Sequence, residues 1–64
     1  MKVYVEKEDK LLVLNKIMDV RGLLDTLKIN PSTVIIVKND EVVLEDESLS
    51  DTDEIKILSV VSGG

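Results

Sequence analysis

The chain has no cysteine, no histidine, no phenylalanine and no tryptophan. Without cysteine there is no disulfide framework and no thiolate nucleophile. Without histidine the usual zinc sites and the commonest general base are also excluded. A single tyrosine, Tyr4, gives no stacking platform for nucleobases. Positive charge is scarce: eight Lys and Arg stand against thirteen Asp and Glu, a formal net charge of −5. Such a surface repels phosphate backbones and attracts a partner with a basic surface, so nucleic acid is not an expected ligand. No apolar run reaches membrane-spanning length, and Met1–Glu6 alternates instead of opening a signal peptide. A cytoplasmic protein with no membrane partner is the expectation. The carboxylates of Glu45, Asp46, Glu47, Asp51, Asp53 and Glu54 lack the twelve-residue calcium-loop pattern with its central glycine, so no metal is expected.

What is present is aliphatic. Hydrophobic residues make up 44% of the 64-residue chain, nearly all Val, Leu and Ile, and a third of the chain is charged. That mix suits one compact domain spanning residues 1–64, with no repeat, linker or low-complexity segment. Lys2–Glu6 alternates with period two and reads as a strand. Lys7-Glu8-Asp9 is a polar turn, and Lys10–Leu14 completes a hairpin whose inward register stays open, because both of its faces carry apolar residues. Asp19 is placed to cap a helix bearing Val20, Leu23, Leu24 and Leu27 at i, i+3, i+4 and i+7. Gly22 costs that helix about 1 kcal/mol relative to alanine. Pro31 is expected to stop it, since a residue before proline leaves the α region.

Thr33–Lys38 is the most strand-like run in the chain, and a strand apolar on both faces belongs inside a sheet. Asn39-Asp40 reads as a tight two-residue hairpin turn into Glu41–Leu44. Glu45–Asp53 is an acidic loop whose lone Leu49 plugs the core, and Glu54–Val61 is the last strand. The order β-β-α-β-β-β leaves one helix to cover one face of a mixed sheet of four to five strands. The first and last strands then pair in parallel at its centre, which is the β-grasp arrangement of ubiquitin-like domains. Ser62-Gly63-Gly64 is left as a flexible C-terminal tail.

No side chain offers chemistry of its own, so attention moves to that tail. Two residues without Cβ at the end of a strand make a slim tip that fits a narrow channel, with the Gly64 carboxylate at its point. A carboxylate becomes an electrophile once it is adenylated. The element order, the segment Leu49–Ile57 with its Asp51-Thr52-Asp53 turn, the stretch Asn30–Asn39, and the ending Val60-Val61-Ser62-Gly63-Gly64 together resemble the ThiS/MoaD-like sulfur-carrier family of thiamine and molybdopterin biosynthesis. The resemblance covers the whole chain and implies a carrier, not an enzyme. In that family an E1-like enzyme uses ATP to adenylate the terminal glycine, here Gly64. Sulfur from a persulfide or cysteine desulfurase then gives a thiocarboxylate, with Gly63 allowing access. The sulfur goes to thiazole synthase or to the large subunit of molybdopterin synthase, and no cofactor is bound permanently.

There are departures. Thr52 replaces the family's usual turn glycine, which points to a different turn type. Leu58, Ser59 and Val60 stand where the molybdopterin branch has aromatic and proline residues, so the resemblance leans toward the thiamine carrier or an archaeal-type general carrier. A protein modifier joined through Gly64, and a β-grasp interaction module with incidental glycines, are the competing readings. With Ile55 and Ile57 inward, Leu58 and Val60 face out. With Val61 and Ser62 they either mark a partner-binding patch or fill the sheet edge. The acidic loop either docks a basic groove or is a solvated surface.

Overall fold

The computed structural model describes residues 1–60. In chain order it has β1 (Lys2–Val5), a 3-10 turn (Glu6–Glu8), β2 (Lys10–Val13), β3 (Met18–Asp19), α1 (Val20–Leu27), a second 3-10 turn (Pro31–Thr33), β4 (Val34–Lys38), β5 (Glu41–Val43), β6 (Ser48–Leu49) and β7 (Glu54–Ser59). Five strands form one sheet in the order β2-β1-β7-β4-β5, and β3 pairs with β6 in a separate two-stranded ladder. β1 and β7 are parallel, with Lys2 opposite Glu54 and Val5 opposite Ile57. The other pairs of the main sheet are antiparallel. This is a β-grasp fold, as the element order implies.

The core follows from two periods meeting. Period-two alternation sends Val3, Val5, Ile36, Ile55 and Ile57 to one face of the sheet, where each is at least 95% buried. The helical period sends Val20, Leu23 and Leu24 to meet them, all essentially inaccessible. Leu49, on β6, is 1% exposed and plugs this core as expected. Leu12 packs against the same cluster while Leu11 and Val13 are exposed. That settles the register of the second strand. No polar side chain is buried among the described residues.

The helix entrance is more tightly held than its sequence implies. The Asp19 carboxylate accepts from Gly22 N at 2.7 Å. Carbonyls of the acidic loop take the two preceding amides: Glu47 O accepts from Val20 N and Glu45 O from Arg21 N, each at 3.0 Å. Three amides of the first turn, which have no acceptor within the helix, are thereby satisfied. A Cβ on Gly22 would lie 3.1 Å from Asp19 Oδ1. The glycine therefore makes room for the cap.

Several boundaries differ from expectation. The helix ends at Leu27, before Pro31 can act: Lys28 turns left-handed at φ 59°, and the Lys28 and Ile29 amides donate to Asp25 O and Leu24 O. Thr33 belongs to a turn, not to β4, because its amide and hydroxyl both bond Asn30 O while the Asn30 side chain accepts from Ser32 N. Glu6 leaves β1 for a 3-10 turn, and Leu14 lies past β2. The last strand ends at Ser59, so Val60 falls outside it and Val61 lies outside the described residues. β4 is interior, but β7 holds the centre. Asn39 and Asp40 take φ 49° and 70°, the two positive values that a type I′ hairpin turn requires. Thr52 is not among the positive-φ residues, so its turn is of another type, as its missing glycine implies.

Truncating Leu23 to alanine is expected to lower unfolding free energy by about 2–5 kcal/mol, read by urea denaturation. Gly22→Ala is expected to yield less than the ~1 kcal/mol that helix propensity alone offers, because the new methyl crowds the Asp19 cap. A full gain of that size would show that the cap gives way freely.

Candidate functional site

The alternation that fills the core leaves its complement on the other face of the sheet. Leu11, Tyr4, Lys56, Val37 and Val42 form one crosswise row over all five strands, as the strand registers dictate. Ile35 and Leu58 pair in the next row. Among the described residues no helix covers this face. Leu11, Val13, Ile35 and Val42 are each at least 40% exposed there. Exposed aliphatic groups on one sheet face are unusual for a small soluble domain and mark interaction surfaces. The predicted patch residues sit at its tail end: Leu58 is half-buried against Ile35, and Val60 is 50% exposed just beyond the strand. Val61, Ser62, Gly63 and Gly64 lie outside the described residues.

β7 delivers the chain to this end. Its N-terminal half is anchored by a polar knot at the opposite end of the sheet. Lys38 Nζ lies 2.9 Å from Glu47 Oε2 and 3.8 Å from Asp53 Oδ2, and donates to Ser48 O at 2.9 Å. Asp53 accepts from Ser50 N at 2.8 Å and from Asn39 Nδ2 at 2.9 Å, and Asn39 Oδ1 accepts from Glu54 N. The Ser50 backbone amide, then the Asn39 side chain, hold the Asp53 carboxyl below its ordinary value, and the Lys38 charge adds to this. The Glu47 carboxylate raises Lys38 above the ordinary lysine value. The acidic loop thus spends two backbone carbonyls on the helix and two carboxylates on Lys38.

At this end the last described residues are held from both sides. Val60 N donates to Thr33 O at 3.0 Å, and Ser59 N donates to Glu6 Oε1 at 3.3 Å. Beside them a cleft of about 360 Å³ opens between Leu27, Ile29, Val34 and Ser59, with Lys7 and Lys28 on its rim. Tyr4 latches the β1–β2 turn by donating to Asp9 Oδ1 at 2.7 Å, and that bond raises the phenol above its ordinary value. These contacts carry no signal in the sequence pattern, because they join residues that periodicity does not relate. Among the described residues no group of three or more acidic side chains is arranged to hold a metal. No described helix is long and apolar enough to cross a membrane.

The described residues present an open apolar sheet face beside the end of β7, and comparison with known proteins places the chain in a family. The ThiS family model matches residues 2–64. The chain belongs to the ThiS family. A curated relative, the sulfur carrier protein TtuB of Thermus thermophilus, is 34% identical over 44 residues, covering 69% of this chain and 68% of that protein. The crystal structure of the thiamine biosynthesis protein ThiS from Geobacter metallireducens matches with a TM-score of 0.68 at 24% identity, covering both chains fully. A solution structure of a thiamine biosynthesis protein from the same organism matches at 0.63 and 23%, covering all of this chain and 88% of that one. These two likenesses bear on the fold. The ThiS-family chain is a sulfur carrier, not an enzyme, and sulfur carriers generally work with E1-like activating enzymes and sulfur transferases.

The knot of this carrier makes its stability pH-dependent. Because the folded Asp53 is depressed, its contribution is fully present above the ordinary aspartate value and is lost as pH falls through the depressed one. Lys38 is raised, so its contribution holds below the ordinary lysine value and is lost as pH rises through the raised one. Asp53→Asn is expected to be less stable than the parent at neutral pH, with the gap closing toward low pH in urea titrations. Parallel curves at all pH values would contradict this.

Proposed function

We propose that this chain carries sulfur on the carboxyl carbon of Gly64 for thiazole formation in thiamine biosynthesis. An E1-like enzyme joins the Gly64 carboxylate to the α-phosphate of ATP, releasing pyrophosphate. The terminal sulfur of a persulfide on the sulfur donor attacks the acyl carbon, and AMP leaves. A thiol then reduces the acyl disulfide, freeing the Gly64 thiocarboxylate, which hands its sulfur to thiazole synthase. Gly63 supplies the slim approach.

The observation that supports this most strongly is the family match running through residue 64, so that the Gly-Gly end lies within it. The lack of any cysteine or histidine fits the same reading, since sulfur and acid–base groups then come from partners. The open sheet face, with Ile35, Val42 and Leu58 on it, gives the activating enzyme an apolar surface next to the tail. A net charge of −5 favours a basic groove on that enzyme.

ATP–pyrophosphate exchange by the activating enzyme tests this. Exchange is expected to depend on the carrier and to vanish when Gly64 is deleted. Ile35→Asp is expected to raise the KM for the carrier about tenfold, as for loss of one buried interface contact, with little change in thermal stability. Undiminished exchange without Gly64 would refute the reading.

A further inference from the structure

The two sides of β7 are finished differently. On the β4 side the ladder runs past the strand end, since Val60 N donates to Thr33 O at 3.0 Å. On the β1 side it does not, because β1 stops at Val5, opposite Ile57. The next residue, Glu6, bends into the 3-10 turn, where its carbonyl accepts from Asp9 N at 3.1 Å. That carbonyl is spent on the turn, and the Ser59 amide faces a side where the neighbouring strand has ended. An amide at a strand end needs an acceptor or water. Here the acceptor is a side chain from 53 residues away: Glu6 Oε1, at 3.3 Å from Ser59 N.

We propose that Glu6 is a positioning residue for the C-terminal tail. Its carboxylate stands in for the strand carbonyl that the turn consumes, and extends the β1–β7 ladder by one rung. Together with Thr33 it fixes the point from which the reach to Gly64 is measured. This rests on the reading that Gly64 is delivered into a partner's active site. Ser59 and Val60, already held in place, need no ordering on docking, and ordering even part of one residue's backbone weakens binding by about three- to tenfold.

The test compares Glu6→Ala, Glu6→Gln and Glu8→Ala, which removes an equal charge from the same turn. Amide hydrogen exchange by NMR reads the bond itself. Ser59 is expected to exchange at least about tenfold faster in Glu6→Ala, and at the parental rate in Glu6→Gln, which keeps an acceptor, and in Glu8→Ala. In carrier-dependent activation, Glu6→Ala is expected to raise KM three- to tenfold at unchanged kcat, and Glu6→Gln to restore it. Unchanged Ser59 exchange in Glu6→Ala would overturn the proposal. So would equal KM defects in the Gln and Ala variants, which would assign the effect to charge. If the parent chain is not activated at all, the carrier reading and the delivery role fail together, and the Ser59 exchange rates still show whether the bond exists.

Discussion

The parallel pairing of β1 with β7 is the contact on which the rest of the molecule depends. It places Val3 beside Ile55 and Val5 beside Ile57, four branched side chains stacked under the leucines of α1. Parallel strands cannot be joined by a tight turn, so the chain between them must cross the sheet, and α1 carries it from the β2 side to the β4 side. Because the partners come from opposite ends of the sequence, closing this pair closes the whole fold. Branched aliphatic residues suit it, being stiff and fully apolar on a pleated surface. The same pairing decides where the last strand lies: β7 runs to Ser59 at the centre, flanked by β1 and β4, so it ends in the middle of the sheet and not at a loose edge.

Division of labour between the two faces follows from the same alternation. Inward residues are used up by the core, and no polar group is buried with them among the described residues. Outward residues among those described include no cysteine or histidine. What remains for function is surface shape, apolar exposure and a terminus, which is what a carrier requires. On the proposed reading the reactive carbon belongs to the backbone, and the chemistry is supplied by enzymes that the carrier visits. The acidic loop is partly occupied within the fold. Its carbonyls cap α1, and two of its carboxylates surround Lys38.

Much of this was legible in the sequence because the relevant signals are local and periodic. The stripe Val20, Leu23, Leu24, Leu27 specifies the helix, and Asn39-Asp40 specifies a turn with two positive φ values. Leu58 faces away from Ile55 and Ile57 as their spacing implies, but the exposure of Leu11, Val13, Ile35 and Val42 on the same face was not legible. Element ends were less legible, since they depend on bonds between distant residues. Thr33 has the branched side chain of a strand former but is recruited into a turn by Asn30. Glu6 alternates correctly for β1 but is drawn away by Asp9. Lys28 ends the helix in a left-handed conformation that favours glycine, so no residue type announced it. The short β3–β6 ladder, two residues long on each side, lies below what periodicity can register.

The central claim is that sulfur travels on the terminal carbon of this chain. It is tested most directly by top-down mass spectrometry of the carrier after incubation with ATP, its activating enzyme, a persulfide donor and a thiol. The account predicts a mass gain equal to one sulfur-for-oxygen exchange, confined to fragments that contain Gly64. An unchanged mass under conditions where the enzyme activates a known carrier, or added sulfur in fragments that exclude Gly64, would contradict it.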